Sequence, residues 1–324
     1  MNRLLAISAT ALLAVVVVQA QTNPATPPAP AANQPAASQQ TPAAPPQTTG
    51  TATAPATGNH RVLQAKSQEE LKAYQDAFAK PDAAQAQAAA DDFAAKYPDS
   101  ELRASLYMRV MNLFAQANNS EKVIATGRQA IAADPTNPVP LVQVASALAE
   151  STRDNDLDRE QRLAEAVKDA QAAIDNIDTG LLAPPNADPA RVAAAKHSIL
   201  TMAYDTIGMV DLDRNDYAAA ETSLQKALDE SKDSPEGVLY LRLSVAQDKL
   251  QQYPQALDSA NKAVQYAQDG SAAQNLAKQQ QARLQKLISA GTAAGTATPA
   301  PAAPPSSGTQ SSPTPAPATP NPPH

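Results

Sequence analysis

The chain has 324 residues, with 25 basic and 32 acidic side chains and no cysteine. The absence of cysteine excludes disulfide bonds, thiolate catalysis and cysteine-ligated metal sites. The net charge of −7 and the lack of a basic run argue against nucleic-acid binding, which requires clustered Lys and Arg to neutralise phosphates.

The first twenty residues have the pattern of a secretory signal peptide. Arg3 precedes an apolar run over residues 4–18, and the small residues Val18 and Ala20 occupy the −3 and −1 positions of a cleavage site. The run is shorter than the roughly 20 residues that a membrane-spanning helix needs. We therefore expect residues 1–20 to be removed and the mature chain to be periplasmic or extracellular, with no membrane span. An uncleaved anchor is the alternative, and a lipoprotein is excluded because no cysteine is present to carry the lipid.

Residues 21–60 and 291–324 are low-complexity flanks rich in Pro, Ala and Thr. The first flank contains nine prolines and no Lys, Arg, Asp or Glu, and the second contains ten prolines. Such segments cannot bury enough apolar area to offset the entropy of ordering, so we predict disordered or polyproline-like spacers. A glycosylated stalk or a recognition ligand is the alternative, because Thr and Ser are frequent.

Residues 61–290 are predicted to fold, and they open with two helix pairs. The capping box Ser67-x-x-Glu70 begins the first pair, and residues 93–100 end it. The second pair has a turn at Asn118-Asn119 and ends before Pro135. Apolar residues of the second unit recur 34 positions later in a third unit: Tyr107, Val110 and Phe114 recur as Leu141, Val144 and Leu148.

The third unit is irregular, because residues 151–158 form a charged insertion between its helices. Asp158-x-x-Gln161 is predicted to cap its second helix, Gly180 to end that helix, and residues 181–189 to form an extended loop with three prolines. Alternating Asp residues in the insertion permit a calcium loop as an alternative. Arg159 stands where such a loop needs glycine, so we interpret the insertion as an acidic helix start.

The fourth and fifth units repeat each other with a period of 36, and this is the strongest signal in the chain. Gly208 permits close packing of the second helix, and the turn Arg214-Asn215-Asp216 combines a left-handed Asn with a capping Asp. The fifth unit is predicted to begin at Ser234-Pro235. A last helix is predicted from the Ser271-x-x-Gln274 cap to about Ile288. The residues that recur are Tyr204, Ile207, Tyr217, Ala220, Leu224, Ala227 and Leu228, as Tyr240, Leu243, Tyr253, Ala256, Ala260, Ala263 and Val264.

A fixed period near 34 with apolar residues at helical spacing is typical of stacked helix-turn-helix units. On these repeats and turns, residues 67–268 resemble the tetratricopeptide repeat (TPR) family, and residues 93–100 resemble the helix end in its bacterial envelope members. The resemblance implies an all-α, right-handed α-solenoid of about five repeats with a C-terminal capping helix. An unrelated helical bundle is the alternative.

The resemblance also implies that the first helix of each repeat lines a concave groove that binds a partner. Met side chains suit such a surface because they adapt to varied apolar partners. The Lys residues with which some members of the family clamp a terminal carboxylate are missing, so that mode is not expected. The alternative is that some of these residues are buried in the core and do not line the groove. The predicted groove positions, which are mostly neutral, are Met108, Asn112, Val142, Ser146, Asp205, Met209, Leu241 and Val245.

The sequence offers no catalytic constellation, and we predict no cofactor and no metal. His197 is the only histidine in residues 61–290 and is interpreted as an ordinary polar residue of a helix. We therefore expect an exported, non-enzymatic scaffold that binds a protein or peptide partner of the cell envelope. The alternatives are a self-associating structural component, an accessory component of an envelope assembly or secretion complex, and an enzyme that uses the acidic residues around Asp154.

Overall fold

The computed structural model describes residues 63–184 and 186–290, together with the backbone of residues 291–295. The predicted signal peptide and most of both low-complexity flanks lie outside these residues. Within the described part of the chain, all regular structure is helical. The helices are α1 (Gln68–Phe78), α2 (Ala83–Lys96), α3 (Leu102–Gln116), α4 (Ser120–Ala133), α5 (Pro138–Ser151), α6 (Arg159–Asp175), α7 (Pro189–Asp213), α8 (Tyr217–Glu230), α9 (Gly237–Lys249), α10 (Tyr253–Tyr266) and α11 (Ala272–Gly295).

The helices stack as five sequential pairs. Each odd-numbered helix packs against the next even-numbered helix, which in turn packs on the first helix of the following pair. Odd-numbered helices also touch one another directly, α1 with α3, α5 with α7, α7 with α9 and α9 with α11. The odd-numbered helices therefore form one layer of an α-solenoid, and α11 covers both helices of the fifth pair. This arrangement confirms the predicted fold class.

Three of the turns within pairs have the same geometry, which is the structural counterpart of the sequence repeat. Asn118, Asn215 and Gln251 adopt left-handed backbone conformations, with φ of 53°, 62° and 62°. In each turn the next N–H donates to the carbonyl five residues earlier, which ends the preceding helix. These bonds are Asn119 to Phe114 at 3.0 Å, Asp216 to Asp211 at 2.8 Å and Gln252 to Gln247 at 2.9 Å. The predicted turns at Asn118 and Asn215 are confirmed, whereas the left-handed Gln251 was not expected.

One predicted helix start is wrong, and at a second start, which is confirmed, the predicted side-chain cap does not form. The fifth unit begins at Gly237 rather than at Ser234-Pro235. Ser234 and Pro235 belong to the connection after α8, and Gly237 packs closely on the end of α10, because a Cβ there would lie 2.4 Å from the backbone nitrogen of Ala267. Asp158 precedes α6 but makes no capping hydrogen bond, since its φ of −102° and ψ of 16° are those of a turn rather than an extended cap.

The helix ends also differ from expectation at two places. The second helix of the third unit ends at Asp175, and Gly180 lies in the turns that follow it. The last helix continues to Gly295 instead of ending near Ile288. No helix of the described residues is both long and apolar enough to cross a membrane.

Close contacts at small residues hold the two layers together. A Cβ on Gly208 would lie 2.8 Å from Cγ of Leu224, in agreement with the close packing predicted at that position. The contact at Gly127 of α4 is tighter, because a Cβ there would lie 2.2 Å from Cγ2 of Val144 and 2.9 Å from Sδ of Met111. Gly127 therefore sets the spacing of α4 against α3 and α5.

We expect Gly127→Ala to lower the free energy of unfolding by roughly 1 to 3 kcal/mol, because overpacking outweighs the gain in helix propensity of about 1 kcal/mol. Denaturant unfolding followed by circular dichroism measures this change. The Val144→Ala background removes the nearest methyl groups, so the same substitution should cost less there. Equal or greater stability of the single variant would contradict the packing assignment.

Candidate functional site

The predicted groove residues divide into a buried and a partly exposed group. Val142, Met209 and Leu241 are buried in the core. Each packs among apolar side chains, and Leu241, for example, contacts the cluster that includes Ala263 and Ala277. These three side chains are therefore covered by the neighbouring helices and do not line an open surface. The partly exposed residues are Met108, Asn112, Ser146, Asp205 and Val245.

The exposed groove positions on α5 and α7 belong to a charged surface rather than a neutral one. Asp205 of α7 forms an ion pair with Arg242 of α9, whose side chain is only 1% exposed. A guanidinium at this depth needs a charged partner, because an isolated buried charge is very costly. The pair therefore fixes α9 against α7 on the side of the odd-numbered helices.

The charge of Arg242 also acts on two further carboxyl groups, those of Glu150 and Glu236. Ser146 Oγ donates to Glu150 Oε1 at 3.2 Å near the end of α5. Burial raises the pKa of Glu150, against the Ser146 hydrogen bond and the charge of Arg242. Burial and the charge of Asp205 likewise raise the pKa of Glu236, whereas Arg242 lowers it. Glu150 of α5, Asp205 of α7 and Glu236 at the start of α9 are thus all within electrostatic range of one buried cation.

Asp213 extends this surface towards the insertion. Burial and the charge of Asp154 raise the pKa of Asp213, whereas the charges of Arg159 and Arg242 lower it. In this region the carboxyl groups, which are those of Glu150, Asp205, Asp213 and Glu236, outnumber the two cations, Arg159 and Arg242. We call this region the inner acidic surface and define it by Ser146, Glu150, Asp205, Asp213, Glu236 and Arg242.

The inner acidic surface does not continue onto α3. Met108 Sδ accepts a hydrogen bond from Asn137 Nδ2 at 3.6 Å, and Asn112 is half-buried. Arg109 lies over the ring of Phe78, with 4.7 Å between the guanidinium carbon and the ring centroid. Along the layer of odd-numbered helices, the surface therefore changes from weakly basic at α3 to acidic at α5, α7 and α9.

Glu150, Glu236 and Arg242 were missed by the sequence prediction. The signal for Arg242 was present, because it is a lone charge within the apolar stretch Val238–Leu243. Long charged side chains are rarely buried without a partner, so such a position predicts a buried ion pair. The partner could not be identified, because pairing depends on how α7 and α9 pack.

The remaining polar residues singled out in the sequence make local contacts. His197 Nδ1 lies 2.6 Å from Glu230 Oε2 and connects α7 to α8. In the insertion, Asp156 Oδ2 accepts the backbone N–H of Arg153 at 2.8 Å, and Asp154 lies 3.7 Å from Arg159. No group of three or more His, Asp or Glu side chains in the described residues is arranged to hold a metal ion.

No family model matches the sequence, and no curated protein matches it either. Three solved structures resemble the fold at low identity. The assembly chaperone of RpL4 (Acl4, residues 1–338) is 10% identical over 69% of this chain and 98% of its own, with a TM-score of 0.36. The APC/C hetero-tetramer Cut9–Hcn1 is 15% identical over 61% and 37%, with a TM-score of 0.28. The TPR domain of P58(IPK) is 17% identical over 69% and 67%, with a TM-score of 0.26. The assignment to the α-solenoid class rests on the helix contacts described above.

We expect Arg242→Met to lower the free energy of unfolding by roughly 3 to 5 kcal/mol at pH 7.5, because it leaves Asp205, Glu150 and Glu236 without their shared cation. The raised pKa values of Glu150 and Glu236 give the sign of the pH dependence. A carboxyl whose pKa is higher in the folded than in the unfolded protein loses stability as the pH rises through the folded value. Loss of Arg242 raises these values further, so the deficit should shrink at pH 4.5.

Denaturant unfolding at both pH values measures this effect. Lys72→Met is the matched control, because Lys72 pairs with Asp76 in an exposed ion pair at 2.7 Å. Loss of an exposed pair costs about 1 kcal/mol or less. Similar effects of the two substitutions, or a deficit for Arg242→Met that does not change with pH, would contradict the buried cluster.

Proposed function

We propose that this protein is an exported, non-catalytic scaffold that binds a protein or peptide partner of the cell envelope on its inner acidic surface. The observation that carries the proposal is the buried ion pair between Asp205 of α7 and Arg242 of α9, whose charge also acts on the carboxyl groups of Glu150 and Glu236. Three first helices of successive repeats contribute to this surface. An extended segment lying across them would therefore contact several repeats at once.

The charge of the surface favours a partner segment that carries Lys or Arg. Burial disfavours the ionised forms of Glu150 and Glu236, as their raised pKa values indicate, and Arg242 compensates them only in part. A further cation would stabilise both carboxylates through charge-assisted hydrogen bonds. Because binding would then lower these pKa values, we expect it to release protons and to weaken at acidic pH.

Export and the absence of catalysis are supported by the sequence. Residues 1–20 have the charge, apolar run and small residues of a signal peptide. The sequence has no cysteine and a single histidine in residues 61–290, and a solenoid presents extended surfaces of the kind that bind other proteins.

The binding proposal is tested with a capped twelve-residue peptide in which Lys and Ala alternate, titrated into the mature protein by calorimetry. We expect binding at low salt that weakens with salt, since the contacts are charged. The double variant Glu150→Gln/Glu236→Gln should weaken it about tenfold, the effect of 1.4 kcal/mol. A peptide with Glu in place of Lys should not bind.

The matched control is Asp92→Asn/Asp229→Asn, which removes the same charge from exposed positions on the even-numbered helices α2 and α8. It should leave the affinity within twofold. Equal weakening by both double variants would mean that net charge alone attracts the peptide, and the proposed site would then be wrong. Binding of the Glu peptide would overturn the assigned partner chemistry.

The export proposal predicts that the mature protein begins at Gln21. Small side chains at −3 and −1 are required for cleavage, so Ala20→Tyr should accumulate the uncut chain. Intact-mass and N-terminal peptide mass spectrometry on cell fractions measures both species. Retention of residues 1–20 in the native protein would favour the anchored alternative.

A further inference from the structure

The connection between α5 and α6 differs from the other turns within regular pairs. It contains seven residues, 152–158, whereas the three turns with left-handed residues each contain three. Five of these seven residues are exposed, and Thr152 and Asp156 are partly buried. Their position next to the third and fourth pairs places them beside the inner acidic surface, at Asp213.

Leu157 is the most exposed large apolar side chain among the described residues. Its relative exposure is 107%, whereas Tyr266 and Leu287 reach only 41% and 40%. Complete burial of a leucine contributes about 1.5 to 3 kcal/mol, and none of this is realised at Leu157 in the isolated chain. Leu157 therefore contributes almost nothing to the stability of the fold.

The loop that carries Leu157 is held at both ends by arginine side chains. Arg162 donates to Thr152 Oγ1 at 3.1 Å and to Ser151 Oγ at 2.8 Å. Arg159 Nη2 donates to the backbone carbonyl of Asp213 at 2.9 Å, which ties the loop to the end of α7. These bonds fix the base of the loop, so Leu157 is presented from a defined position.

Acidic side chains surround this apolar tip. Asp154 and Asp156 precede it, and both take part in contacts within the loop. Asp158 follows it, is exposed, and makes no capping hydrogen bond to α6. The tip is thus one apolar side chain between Asp156 and Asp158, and the loop, with three Asp and the exposed Arg153, carries a net charge of −2.

We propose that residues 152–158 form a docking loop, in which Leu157 inserts into an apolar pocket of a protein partner whose rim carries Lys or Arg. The negative charge of the loop and of the chain distinguishes between the possible binding partners. A second copy of this chain, with its net charge of −7, would be repelled, and so would an anionic lipid surface. A basic rim instead complements the carboxylates and steers association. This surface adjoins the inner acidic surface at Asp213 but does not require binding there.

The experiment replaces Leu157 with the photo-crosslinking residue p-benzoylphenylalanine in the full chain, expressed in its native cells, with the same replacement of Leu287 as the control. Crosslinked peptides are mapped by mass spectrometry. The identified partner is then purified and its affinity measured with the native chain and with Leu157→Ala, Leu157→Met, Asp158→Asn and Leu287→Ala.

The docking loop predicts crosslinks from position 157, but not from position 287, to a partner segment that combines apolar residues with Lys or Arg. Leu157→Ala should weaken binding at least about tenfold, and Leu157→Met should retain affinity within about threefold, because its volume is conserved. Asp158→Asn should reduce the salt dependence of association. Unfolding should be unchanged in Leu157→Ala, since the side chain is exposed.

Four outcomes would overturn the proposal. They are the absence of any position-specific crosslink, crosslinks to lipid, crosslinks to a second copy of the chain, and an affinity of Leu157→Ala within twofold of the native value. None of these depends on the peptide titration of the inner acidic surface, so failure of one proposal is distinguishable from failure of the other.

Discussion

The structure depends on the stacking of helix pairs that cannot bury their apolar faces alone. Each even-numbered helix packs both on its own partner and on the first helix of the next pair. Small residues make this double contact possible, since a side chain at Gly127 would collide with Val144 of the following pair. Because each pair contacts mainly its neighbours, stability is distributed along the stack, and the last pair needs α11 as a cover.

This stacking also explains how polar side chains of different repeats come into contact. The odd-numbered helices touch one another along their own layer, so polar side chains on that side come together from different repeats. The clearest example is Arg242, a buried cation whose ion-pair partner, Asp205, lies in the preceding helix pair. Buried ion pairs contribute little net stability compared with apolar packing. The pair joins α7 to α9, and the charge of Arg242 also acts on Glu150 and Glu236.

Local signals in the sequence predicted the repeat architecture. The features that were not predicted depend mainly on contacts between repeats, which local signals do not reveal. Asn118 and Asn215 marked turns because Asn tolerates left-handed backbone, and Gln251 escaped notice because its side chain carries no such signal. The start of α9 was predicted two residues too early, because the Ser234-Pro235 signal lies in the connection that follows α8. The groove prediction applied a 36-residue period that aligned Asp205 with Leu241. The structure buries Leu241 and pairs Asp205 with the next residue, Arg242, which periodicity alone does not indicate.

The insertion lengthens the connection within the third pair, and its arginines connect it to the rest of the molecule. Arg159 binds the carbonyl of Asp213, and its charge lowers the pKa of the Asp213 carboxyl that Arg242 also influences. The loop and the inner acidic surface are therefore linked electrostatically through one residue at the end of α7. A basic partner that lies across α5, α7 and α9 would approach the loop at Asp213. The two proposed surfaces thus favour the same partner chemistry, an apolar residue accompanied by cations, although each can be removed by substitution without the other.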